Sequence, residues 1–148
     1  MSAKKRPVSR RKITSRYASI AEWSPSLFIR VEKPRGGYWR RDSLYCLGFK
    51  GVLDEAVKGV SELAGSIFPS ADVSLHEDLD PCVGSIISIR DDVQVVLTVS
   101  EQEFAWLLTL SAGGLLGACH LSFSEPFRGQ ARVYSFSFDK TLPPPEER

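Results

Sequence analysis

Cys119 and His120 are adjacent, a thiol beside an imidazole, and His76 is the only other histidine in the chain. A cysteine nucleophile needs its base within hydrogen-bond reach. Cys119, Leu121 and Phe123 alternate with His120, Ser122 and Ser124 at the period of a strand, and strand neighbours point to opposite faces. Cys119 and His120 therefore cannot form a dyad with each other. A pairing of His76 with Cys119 or Cys46 has no local signature, and the plain expectation is a buried cysteine and an exposed histidine.

The densest set of metal-ligand types is the loop His76-Glu77-Asp78-Leu79-Asp80-Pro81-Cys82. It has neither the glycine and ligand spacing of a calcium loop nor the paired Cys or His of a zinc site, so it reads as an acidic surface loop. Gly113-Gly114 follows a helix signal instead of opening one, which excludes a phosphate cradle there. The carboxylate pairs have structural explanations: Asp54-Glu55 and Glu101/Glu103 fit helix N-termini, and Asp91-Asp92 fits a turn. No catalytic residue, cofactor or metal is expected, and no small-molecule substrate is evident.

One cluster stands out for binding: Arg35, Tyr38, Trp39, Arg40 and Arg41, next to the Gly36-Gly37 turn signal. Arginine, tyrosine and tryptophan dominate interface hot spots because they join large contact area to directional donors. Glycines let a partner approach the backbone. The same side chains could stack on bases and hold phosphates, or one aromatic could enter the core while the arginines stay in water.

Charge divides along the chain although its total is only +1. The first 16 residues carry Lys4, Lys5, Arg6, Arg10, Arg11, Lys12 and Arg16 and no acid, giving +7; the first 50 carry +10, and the rest −9. A basic end and an acidic body point to an anionic partner for the one and a cationic partner for the other. The basic residues are a possible nucleic-acid arm that would give salt-dependent grip without sequence specificity. An Arg- and Ser-rich, acid-free start also has the composition of an organelle transit segment, against which Pro7 and the scarcity of apolar residues count.

At 148 residues and 43% apolar composition, one domain with its own core is expected. Cys46, Cys82 and Cys119 are few and odd in number, which favours a reducing, cytoplasmic setting over a disulfide framework. No apolar run is long enough to span a bilayer. Residues 1–20 lack large apolar side chains and read as a disordered arm, residues 21–140 as a single domain, and residues 141–148 as a proline-rich tail.

Within the domain, Leu27, Ile29 and Val31 alternate with polar or aromatic neighbours, and with the extended run from Tyr38 to Phe49 they predict an antiparallel hairpin. Asp54 reads as the N-cap of a helix to Phe68, with Val57, Val60, Ala64 and Ile67 on one face and Lys58 and Glu62 on the other. Val73 to Leu75 reads as a short strand, and strands follow over Val83 to Arg90 and Val93 to Val99. Ser100 and Glu103 have capping-box spacing, with Val99 and Phe104 as its hydrophobic staple. Gly113-Gly114 stops that helix. Two last strands follow, with Tyr134, Phe136 and Phe138 alternating with serines. The resulting expectation is an α+β domain: an antiparallel or mixed sheet of five to seven strands, two helices on one face, in the order ββα-(β)-ββα-ββ. The two halves look like a loose structural repeat. Function is expected to be non-enzymatic protein binding of inhibitor, immunity or adaptor type through the basic-aromatic hairpin, with nucleic-acid binding through the arm as the alternative.

Overall fold

The computed structural model describes residues 12–33, 36–70 and 81–148. They form a closed barrel of seven strands: β1 (Ile13–Glu32), β2 (Arg40–Val57), β3 (Val60–Pro69), β4 (Gly84–Ile89), β5 (Val93–Val99), β6 (Ala118–Ser124) and β7 (Ala131–Asp139). One α-helix, α1 (Glu101–Ala112), links β5 to β6. Around the barrel the strands run β1-β2-β3-β5-β4-β7-β6, and β6 returns to β1. All neighbours are antiparallel except β3 and β5. The chain passes from β3 to β4, then turns at residues 90–92 and lays β5 back between them, which makes β5 parallel to β3.

This barrel overturns the α+β expectation of two helices on one face of a sheet. The segment read as a helix from Asp54 to Phe68 is the end of β2, a two-residue turn and β3. Lys58 and Gly59 both have positive φ (51° and 82°), the backbone of a type I′ hairpin turn, and Val57 faces Val60 across it. Leu63 and Ile67 are buried with Gly65 between them, so the segment follows period two. The apolar residues at 57, 60, 64 and 67 also satisfy a helical period, which is why the pattern misled. Gly65 is required where it stands: it faces Phe49, and a Cβ there would lie 2.0 Å from the Phe49 ring. Asp54 accepts the Tyr17 backbone N–H (3.1 Å) across the sheet instead of capping a helix. The loose repeat of hairpin and helix disappears with the first helix.

Residues 13–20, expected to belong to a disordered arm, are strand. Residues 13–19 pair with β6 and residues 18–20 with β2, so that Ala18 faces both Cys119 and Leu53. The β6 ladder, the start of the β2 ladder at Ala18 and the Tyr17 N–H bond to Asp54 hold this backbone, so the segment needs few apolar side chains of its own. Its outer face is polar or aromatic: Ser15 and Ser122 hydroxyls bond at 2.9 Å, and the Tyr17 ring lies 4.5 Å from that of His120. The tail is exposed and ends in a short 3-10 turn, Pro145–Glu147.

The core fills the barrel with Leu47, Phe49, Ile67, Ile86, Leu97, Leu121, Phe123 and Val133, and among the described residues no polar side chain is buried. A register shift in the β6–β7 ladder puts Phe123 opposite Val133 and Ser122 opposite Ser135. Tyr134 is the extra residue of this bulge, which keeps Val133, Phe136 and Phe138 in phase with the core on either side of it. The hairpin of β1 and β2, the turn at Asp91-Asp92, strand β5 and the capped helix all lie where the sequence placed them. In α1 both arms of the capping box are present: Glu103 N–H donates to Ser100 Oγ (3.1 Å), and Ser100 N–H donates to Glu103 Oε1 (2.8 Å). Hydrogen bonding from the Ser100 backbone N–H first, and from the Ser100 side chain second, holds the Glu103 carboxyl below its usual value. Phe104 carries the helix into the core.

Candidate functional site

β1 and β2 are far longer than the barrel they help to close. β1 pairs with β6 only over residues 13–19, and β2 pairs with β3 only from Leu47 onward. The β1–β2 ladder nevertheless continues without a break from Trp23 opposite Phe49 to Glu32 opposite Arg40. Among the described residues, 26–32 and 40–46 pair only with each other. They form a two-stranded ribbon that projects about 20 Å from the barrel wall at 3.3 Å per residue.

The ribbon is apolar on both faces. Leu27 opposite Tyr45, Ile29 opposite Ser43 and Val31 opposite Arg41 continue the barrel-facing side of Leu47 and Phe49 out into solvent. Phe28 and Leu44 face each other on the reverse side. These six apolar or aromatic side chains, Leu27, Phe28, Ile29, Val31, Leu44 and Tyr45, leave between 44% and 65% of their surface open. Where the ribbon meets the body, the Tyr45 ring lies edge-on to Phe104 of α1 (6.4 Å), and the Trp23 indole N–H donates to the Leu116 carbonyl (2.8 Å). The reverse side neutralises its own charge, since Arg30 pairs with both Glu32 (3.2 Å) and Asp42 (3.5 Å).

The predicted binding cluster sits at the tip. Tyr38 is 94% exposed, and Trp39 is largely open with the Lys33 ammonium 5.9 Å above its ring. Arg40 and Arg41 are exposed at the start of β2, and among the described residues they make no ion pair. Arg35 lies outside the described residues. The structure thus brings Tyr38, Trp39, Arg40 and Arg41 together and adds six apolar residues, of which the sequence reading placed Leu27, Ile29 and Val31 on a buried face. One signal could have found them: apolar residues at both parities, Leu27 with Phe28 and Leu44 with Tyr45, cannot all point into one core.

Of the basic arm, Lys4, Lys5, Arg6, Arg10 and Arg11 lie outside the described residues, as do the short strand expected over Val73 to Leu75 and the loop at 76–80. Lys12 pairs with Glu125 (3.8 Å), and Arg16 is occupied within the barrel. Its guanidinium donates to the Glu55 carbonyl (3.1 Å) and pairs with the Glu55 carboxylate (3.8 Å). Cys119 is buried and its thiol is pushed up to about 12 by burial, so it holds no thiolate near neutral pH. His120 points to the other side of the sheet, against Tyr17. Among the described residues no three His, Cys, Asp or Glu side chains cluster as metal ligands, and no helix is long and apolar enough to cross a membrane.

Among the described residues the barrel surface includes two depressions. One, of about 760 Å³, is lined by Cys82, Ser85, Ser124, Glu125, Arg132 and Tyr134 beside β4 and β7. The other, of about 400 Å³, is an apolar groove between α1 and β7. The chain matches no protein-family model, and no curated protein or solved structure matches it.

Proposed function

We propose that the protein is a non-enzymatic binding module whose partner is held by the β1–β2 ribbon and its basic-aromatic tip. The observation that carries this reading is a long ribbon whose apolar side chains on both faces stay largely exposed and whose strand edges, among the described residues, have no further partner. A two-stranded hairpin in water is marginal on its own, and open edges are templates for association. Large exposed apolar patches on a protein surface mark interaction sites. With Tyr38 and Trp39, the ribbon presents on the order of 800 Å² of surface, the share of one partner in a standard interface. Arg40, Arg41 and Lys33 ring the aromatic tip, the arrangement expected of a hot spot surrounded by steering charge. Three unpaired cysteines fit a reducing, cytoplasmic setting for this role.

The test is capture of partners by tagged full chain. Trp39→Ala with Arg40→Ala is expected to abolish capture while leaving the thermal midpoint unchanged, and capture that survives both changes refutes this surface. Removing residues 2–11, which stops short of β1, addresses the nucleic-acid alternative: salt-sensitive binding to single- or double-stranded probes should vanish with the arm if that reading holds.

A further inference from the structure

The ribbon tip and the groove between α1 and β7 both expose apolar side chains and differ in the sign of their charge, and they belong to the same chain. The groove is walled by Trp106, Leu107, Leu110, Leu116 and Phe136, with Glu103 at its edge. Trp106 is 67% exposed, and apart from Phe104 the helix buries none of its large apolar side chains fully. Helix α1 carries Glu101 and Glu103 in its first turn and no basic residue. The tip offers the converse: Tyr38 and Trp39 exposed, with Lys33, Arg40 and Arg41 around them. Each surface presents apolar area of the kind the other lacks a cover for, under charge of opposite sign.

A continuous ladder keeps the tip extended from its own barrel, so one molecule's tip meets the groove of another. We infer that the protein self-associates head to tail, the ribbon of one copy seated in the α1–β7 groove of the next. This rests on the ribbon being the binding surface and names its occupant as a second copy of this chain. Because the two contacting surfaces differ, the association is heterologous, and it closes into a ring or grows as a filament according to the rotation between copies. The aromatic side chains supply desolvated area, and the opposed charges set register and speed of encounter.

Sedimentation velocity of the purified full chain across a concentration series, at low and high salt, tests it. Mass should rise with concentration and fall as salt screens the tip from Glu101 and Glu103. The ribbon variant (Trp39→Ala with Arg40→Ala) and the groove variant Trp106→Glu, both at exposed positions, should each weaken association about thirtyfold or more with unchanged thermal midpoints. Mixing the two is decisive: one retains a groove and the other a ribbon, so the mixture should form a one-to-one dimer and nothing longer. A wild-type chain that stays monomeric throughout overturns the inference, as does association that the groove variant leaves intact. If the monomeric chain still captures a different protein through Trp39 and Arg40, self-association falls and the binding reading stands. If capture is also unaffected by those changes, both fall.

Discussion

β1 and β2 each occupy two environments within one strand. Near the barrel, Leu47 and Phe49 are buried and touch residues from several other strands. A few residues on, along the same face of the same ladder, Leu27, Ile29, Val31 and Tyr45 stand in solvent. The residue types hardly change; the neighbours do. Alternation in a sequence therefore records that a face is apolar, not what covers it, and in this chain the described residues leave half of the hairpin largely exposed.

The strongest way to break this comparison is to truncate one residue from each half. Leu47→Ala should lower stability by about 2–5 kcal/mol, because the closed core cannot collapse around the missing atoms. Leu27→Ala should change it by only about 0.5 kcal/mol at low protein concentration. Chemical denaturation reads both, and equal costs would mean that the ribbon is packed in the single molecule. Next in size, Gly65→Ala forces a methyl group into the Phe49 ring and should cost about 1–3 kcal/mol. The same substitution at Gly36, which has open space around it but a positive φ, should cost less and act through backbone strain alone.

Ser100→Ala should remove about 1 kcal/mol by leaving the Glu103 N–H uncapped. The Glu103 carboxyl, ordinarily near 4.5, is lowered in the fold, so its charged form stabilises the protein fully above that value and loses the effect as pH falls through the folded-state pKa. The difference in melting temperature between wild type and Glu103→Gln should accordingly be largest near neutral pH and shrink on acidification. The smallest effect is a gain: Lys58→Asn suits the positive φ at that position and should add roughly 0.5 kcal/mol, seen as a small upward shift in denaturation midpoint.

Local signals carried the sequence reading where one residue had one job. Ser100 and Glu103 announced a capping box and made one, and the pleat separated Cys119 from His120 as expected. The reading failed where two periods fitted the same residues. From Asp54 to Phe68 the apolar positions suit a helix and a hairpin alike, and Gly59 and Gly65, unfavourable in a helix, were the deciding evidence. It failed again at residues 13–20, because a strand held by backbone pairing to the distant β6 announces little by itself. The site was half legible: Tyr38, Trp39, Arg40 and Arg41 stood out by type, but their setting on a projecting ribbon depends on where β3 and β6 stop pairing, which no local pattern records.

The seam between β1 and β6 sets a condition on when this molecule can exist. Ile13 meets Ser124 and Ser19 meets Ala118, so the first strand waits for partners made roughly a hundred residues later. During synthesis the hairpins of β1, β2 and β3 can form as they emerge, but one edge of β1 stays open until the last strands leave the ribosome. For that interval the nascent chain offers a second unpaired edge in addition to its ribbon, and a message truncated after β5 would yield an open sheet prone to joining its neighbours.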